Sequence, residues 1–168
     1  MKNIVHLAIL SLGSFAAAQT VEKRDVTALN NAAQALTSDF ADLDLILNGT
    51  LAQIQAIKSA FVNGASVALN QPNLTYADVF QLVTPFRTLQ AQLLTTLDNF
   101  ESRKDDIIAS SACKDIYTQM GLTWFIGAGF LRGVGSKTPQ DGKALWSSIA
   151  DPMESKLLEA YHSIDACK

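Results

Sequence analysis

Residues 25–47 read DVTALNNAAQALTSDFADLDLIL, and in them Val26, Leu29, Ala33, Leu36, Phe40, Leu43 and Leu47 recur at steps of three and four. That spacing follows the helical turn and lays one apolar stripe along a long helix, whereas a half-buried strand would alternate at every second residue. Asn48-Gly49 supplies a stop. A second helix follows, with Leu51, Ile54, Ile57, Phe61 and Ala65 on one face, and it fades into the loop Asn70-Gln71-Pro72-Asn73.

The same period continues through the rest of the chain. Thr75 followed by Asp78 forms a capping box that opens a third helix, whose seam is Val79, Leu82, Phe86, Leu89, Leu93, Thr96 and Phe100. Pro85 inside this run predicts a kink or a delayed start. The charged stretch Glu101-Ser102-Arg103-Lys104-Asp105-Asp106 reads as a solvated face or turn. Ile107, Ile108, Ile116, Met120, Trp124 and Phe130 then predict a fourth helix to about Arg132, ended by residues 133–139, GVGSKTP. The last seam, Leu145, Ile149, Met153, Leu157, Tyr161 and Ile164, is interrupted at Asp151-Pro152-Met153-Glu154, which predicts a short helix and then a longer one. No β-branched alternation bounded by turns occurs, so the expected fold is an all-α antiparallel bundle of about five amphipathic helices.

The first 24 residues read as targeting sequence. Met1-Lys2-Asn3 carries one positive charge, Ile4 to Phe15 is mostly apolar, and Ala16-Ala17-Ala18 offers the small residues that signal peptidase accepts, with the cut after Ala18. The apolar run is shorter than the roughly 20 residues that span a bilayer, so no transmembrane anchor is expected. Lys23-Arg24 is a dibasic pair. One reading makes residues 19–24 a short propeptide-like segment and residues 25–168 a single helical-bundle domain; the other leaves an exposed charge pair in a tail. Both sequons, Asn48-Gly49-Thr50 and Asn73-Leu74-Thr75, are N-glycosylation candidates in a secreted chain. Cys113 and Cys167 are expected to pair in an oxidising compartment, the alternative being two free buried thiols.

At 168 residues, with 17% charged side chains and a formal charge of -3, the chain fits one globular domain. Its cations never cluster beyond pairs, so no nucleic-acid stripe exists. Catalytic signatures are also missing. The two histidines are His6, in the leader, and His162, one step from the last seam, which reads as a surface or boundary residue. Gly133-Val134-Gly135-Ser136-Lys137-Thr138 lacks both the spacing and the preceding strand of a phosphate loop. Asp42 and Asp44 point in different directions on a helix, and Asp105-Asp106 are adjacent in a charged run, so neither pair suits a shared proton or metal. Neither an enzyme nor a cofactor is expected.

In the order Leu93-x-x-x-Leu97-x-x-Phe100-x-x-Arg103-Lys104, a long apolar helix, Lys137-Thr138-Pro139 and a last helix ending Ala160-Tyr161-His162-Ser163-Ile164, the chain resembles the fungal hydrophobic surface-binding protein A family, which includes the antigenic cell-wall galactomannoproteins. The resemblance is strongest from about Val79 to Ile164. It implies a secreted or wall-associated, non-enzymatic helical protein that adsorbs to hydrophobic surfaces or holds fatty acids in a bundle. On that implication Phe86, Leu89, Leu93, Phe125 and Phe130 are lining candidates and Arg87 a partner for a carboxylate, all six being otherwise readable as simple core residues. Gly127 and Gly129 would thin the wall. Members of the family commonly lack a disulfide, so a Cys113–Cys167 bridge implies a stiffer variant with a smaller cavity. The alternative function is a structural or antigenic wall mannoprotein, or a secreted effector acting through cell-wall polysaccharide or a host protein.

Overall fold

A computed structural model describes residues 26–43 and 50–168. They form six α-helices: α1 (Thr27–Asp42), α2 (Thr50–Asn70), α3 (Tyr76–Ser102), α4 (Lys104–Ala109), α5 (Cys113–Lys137) and α6 (Lys143–Ser163). Short 3-10 turns cover Gln140–Gly142 and Asp165–Cys167. Among the described residues there is no strand, as the uninterrupted helical period requires. Leu47 and the Asn48-Gly49 stop lie outside the described residues.

The five long helices close into a ring in the spatial order α1, α2, α5, α6, α3. Successive long helices alternate in direction, yet several neighbours in the ring run the same way. Along α2 and α5, Lys58 Nζ donates to Gln119 Oε1 at 2.7 Å, and Ala68 lies beside Gly133. Between these two levels the helices interlock. A Cβ at Gly127 would stand 3.2 Å from the Phe61 ring, and one at Gly64 would stand 3.1 Å from the Phe130 ring. Each helix thus lays a phenylalanine over the other's glycine, which brings the two backbones close.

The seams read from sequence form the core. Val26, Leu29, Ala33, Leu36, Phe40 and Leu43 of the first seam are all buried, as are Ile54, Ile57 and Phe61 of the second. The capping box is present: Thr75 Oγ1 accepts from the Asp78 N–H at 3.2 Å, and Asp78 Oδ2 accepts from the Thr75 N–H at 2.7 Å.

Three boundaries differ from expectation. The predicted fourth helix is two, α4 and α5, separated at Ser110-Ser111-Ala112, and α5 passes through Gly133 and Gly135 to Lys137. Those glycines sit under Ala68 and Trp146, so packing holds a segment whose propensity is low. Pro85 lies within a continuous α3, and the carbonyl it leaves without a donor belongs to exposed Gln81, where water can reach it.

Helix α6 is one element rather than two and carries Pro152 in its interior. Proline has no N–H to give the Ser148 carbonyl four residues earlier. The missing donor comes from another helix. Gln90 of α3, almost fully buried, donates from Nε2 to the Ser148 carbonyl at 3.3 Å and to the Ile149 carbonyl at 3.0 Å.

Cys113 and Cys167 form a disulfide, with Cα atoms 5.2 Å apart across 54 residues of chain. It joins the start of α5 to the turn after α6. Beside it, the Tyr161 hydroxyl donates to the Tyr117 hydroxyl at 2.6 Å. His162 is exposed, with Nδ1 3.5 Å from Asp165 Oδ2, in keeping with its surface reading.

Candidate lipid-binding interior and its open corner

Each long helix contributes one ring to a chain of aromatics across the middle of the bundle. Phe40 of α1 meets Phe61 of α2 edge-on at 5.9 Å, and Phe61 meets Phe130 of α5 at 6.1 Å. Phe130 stacks on Phe86 of α3 at 5.8 Å, and Phe86 meets Trp146 of α6 edge-on at 4.9 Å. Such contacts stabilise by about 0.5–1.5 kcal/mol each beyond the area they bury. Trp146 satisfies its own polar atom by donating from Nε1 to the Leu131 carbonyl at 3.2 Å.

Four of the residues expected to line a ligand site belong to this interior: Phe86, Leu89, Leu93 and Phe130 are fully buried. The structure does not bring the other two there. Phe125 is 70% exposed on the outer face of α5. The buried face of that helix runs Met120, Thr123, Gly127, Phe130 and Val134, and Phe125 falls off its period. Arg87 lies on the outer α3–α6 seam, where its guanidinium donates to Ser148 Oγ at 3.1 Å and to Gln90 Oε1 at 3.4 Å. Gly127 does let rings approach, while a Cβ at Gly129 would meet nothing within 4 Å.

Space opens instead at one corner of the bundle, where α1 ends, α2 begins and α3 turns into α4. A cavity of about 150 Å³ is lined there by Leu43, Thr50, Phe100, Ile107 and a polar line running from α3 to its C-cap, comprising Gln92, Thr95, Thr96, Asn99 and Arg103. That line covers three turns, about 16 Å at 1.5 Å per residue. Thr96 is already engaged, donating from Oγ1 to the Phe40 carbonyl at 3.0 Å and accepting from Gln92 Nε2 at 3.1 Å. Arg103 is the residue between α3 and α4, capping the end of one and the start of the other. Its side chain is 29% exposed, and its charged partner among the described residues is Asp106, 4.0 Å away and 63% exposed.

Sequence reading missed this corner. Residues 101–106, read as a solvated face or turn, are mostly exposed with a turn at Arg103, and the signal for the cavity beside them is the recurrence of polar residues every three or four positions from Gln92 to Arg103, next to the apolar seam. A half-buried lysine on α6, Lys156, is enclosed by carboxylates: its Nζ is 2.6 Å from Asp98, 3.0 Å from Glu101 and 3.7 Å from Glu159. The hydrogen bond it donates to Asp98, with the nearby Glu101, holds its ammonium above the ordinary lysine range, against the opposing effect of burial. Among the described residues no group of three His, Cys, Asp or Glu could hold a metal ion. No helix there is long and apolar enough to cross a membrane.

Of the candidate modification sites, Asn73 is exposed in the loop between α2 and α3. Asn48, Ala18, Lys23 and Arg24 lie outside the described residues.

The fold has solved counterparts. Ligand binding domain 2 of the Penicillium marneffei MP1 protein, complexed with multiple arachidonic acids, superposes with a TM-score of 0.79 at 16% identity, covering 86% of this chain and 98% of that one. Ligand binding domain 1 of the same protein, also with arachidonic acids, gives 0.69 at 17% identity, covering 83% and 93%. The protein AFMP4P in complex with palmitic acid gives 0.75 at 12% identity, covering 84% and 100%. A search of curated protein sequences finds no significant match. The family model for hydrophobic surface binding protein A matches residues 19–123, well over half of the chain and further toward its start than the motifs that suggested the resemblance. The chain belongs to the hydrophobic surface binding protein A family.

Proposed function

We propose that the protein is a secreted, non-enzymatic binder of hydrophobic surfaces and fatty-acid-like lipids, with the bundle interior as its acyl site. The observation that carries this reading is the closed ring of five long helices around an aromatic and aliphatic centre, in a chain of this family. Solved proteins with the same fold are described in complex with arachidonic and palmitic acids.

The interior of the bundle is filled by Phe86, Phe130 and their neighbours, so a long acyl chain enters only as helices separate. Each methylene taken from water contributes about 0.8 kcal/mol, which offsets the loss of ring contacts over a chain of ordinary length. In this reading residues 1–18 are removed as a leader, residues 19–24 are trimmed after Arg24, Asn48 and Asn73 carry glycans, and the product acts outside the cell or in its wall.

The test is native mass spectrometry of the protein secreted from a fungal host, followed by solvent extraction. A mass excess that extracts as fatty acid supports the reading, and the same spectrum reports the two cuts and the glycans. A ligand-free mass, no uptake of added palmitate and no adsorption to hydrophobic beads would overturn it.

A further inference from the structure

We infer that Arg103 anchors the carboxylate of the acyl ligand, with the carboxyl end held in the cavity at the α1–α3–α4 corner. This inference rests on the lipid-binding reading above and assigns that ligand its polarity and its orientation.

The cavity has the two-sided chemistry of an amphiphile site. Leu43, Phe100 and Ile107 supply apolar wall, while Gln92, Thr95, Asn99 and Arg103 supply polar groups along one helix and its C-cap. A guanidinium stays charged at every physiological pH and presents its N–H groups in a planar fork that matches a carboxylate. Arg103 meets only a distant and largely exposed carboxylate among the described residues, with Asp106 Oδ2 4.0 Å from Nε. That separation exceeds a hydrogen bond, so the fork retains donors for an incoming anion.

Two other cations that meet α3 are engaged elsewhere. Arg87 spends its guanidinium on Ser148 and Gln90, on a different flank of α3. Lys156 is enclosed by three carboxylates. At this corner a cavity, an apolar wall and a guanidinium whose ion partner among the described residues lies 4.0 Å away come together. An acid held this way points its chain along α3 away from Arg103, past Thr96 and Gln92 toward the level of Leu93 and Leu89.

The test compares palmitate with methyl palmitate, which has the same chain and no charge, on the full disulfide-bonded protein and on Arg103→Gln, Arg103→Lys and Arg87→Gln. The wild type is expected to prefer palmitate. Arg103→Gln is expected to weaken palmitate about 10- to 100-fold, the range for a lost hydrogen bond to a charged group, and to leave methyl palmitate unchanged. Arg103→Lys keeps the charge without the fork and falls between, and Arg87→Gln matches the wild type. Where Arg103→Gln fails to fold, a selective several-fold loss of palmitate in Arg103→Lys supports the anchor and equal affinity overturns it. Palmitate binding untouched by Arg103→Gln, or equal loss of both ligands, overturns the anchor while the lipid-binding reading stands. A wild type that takes neither ligand overturns both.

Discussion

Replacing Gln90 by Leu isolates what the buried amide does for a helix it does not belong to. Leucine fills a similar volume, so packing changes little, but the Ser148 carbonyl loses its donor because Pro152 has no N–H to offer. The Ile149 carbonyl loses only a second partner, since it retains the N–H of Met153 within α6. An unsatisfied buried acceptor costs about 1–3 kcal/mol, and the Ser148 bond is only partly buried, which places the loss near 1.5 kcal/mol. With a urea slope of about 2 kcal/mol/M, the unfolding midpoint should fall by about 0.7 M at constant slope. The decisive comparison is made in a Pro152→Ala background, where alanine restores the N–H and the Ser148 carbonyl regains an intrahelical donor. There Gln90→Leu should cost less by about 1 kcal/mol, a coupling above the scatter expected for independent sites. Equal midpoint shifts in the two backgrounds would show that Gln90 does not complete α6, and would refute the account of how that helix passes through a proline.

Other expectations follow from burial, charge and covalent linkage. Phe130→Ala should lower the unfolding free energy by about 3–5 kcal/mol in denaturant titration, because the ring is completely buried between Phe61 and Phe86. Phe125→Ala, at a ring that is 70% exposed, should stay within about 0.5 kcal/mol of wild type. The raised Lys156 ammonium means that the folded state holds this proton more tightly than the unfolded one. Its stabilising contribution is therefore complete below the ordinary lysine value of about 10.4 and is lost as pH climbs past it. Stability measured from about pH 9 to about pH 11 should fall more steeply in wild type than in Lys156→Met. Replacing Cys113 and Cys167 by serine should cost about 4 kcal/mol on chain-entropy grounds, read as the midpoint difference from the oxidised protein.

Much of the architecture was legible because each long helix carries its own uninterrupted stripe. The seam from Val26 to Leu43 and the Thr75–Asp78 box needed no tertiary information, since period and capping are local. Helix α6 was misread as two for the opposite reason. The amide that lets it continue is Gln90, nearly 60 residues away, and nothing near Pro152 announces it. Gly133 and Gly135 looked like a terminus, and only the ring of Trp146 and the methyl of Ala68 show why the helix runs on.

The site divided along the same line. Phe86, Leu89, Leu93 and Phe130 are legible as buried seam positions, whereas Phe125 lies off the period of its helix's buried face, which is why it stands outside. Arg103 is not legible as a site residue because a guanidinium in a charged run reads as solvated, and only the packing of the helix ends puts it beside Phe100 and Ile107 on the cavity wall. Arg87 resembled an anion partner in sequence, and its commitment to Ser148 becomes visible only when α3 and α6 lie side by side.

The disulfide makes one end of the ring mechanically lopsided. On the α5–α6 edge, Cys113 and Cys167 rivet the helix ends together covalently. Across the ring, the end of α1 is tied by the Thr96 hydroxyl on the Phe40 carbonyl and by the Gln53 amide on the Asp42 carbonyl, bonds of about 1 kcal/mol each. An opening of this end would therefore hinge on the riveted α5–α6 edge, with the α1 edge as the side that yields first. That compliant margin borders the Arg103 cavity. A reductant would remove the spine, so the molecule would yield evenly around the rim instead of along the side where its cavity opens.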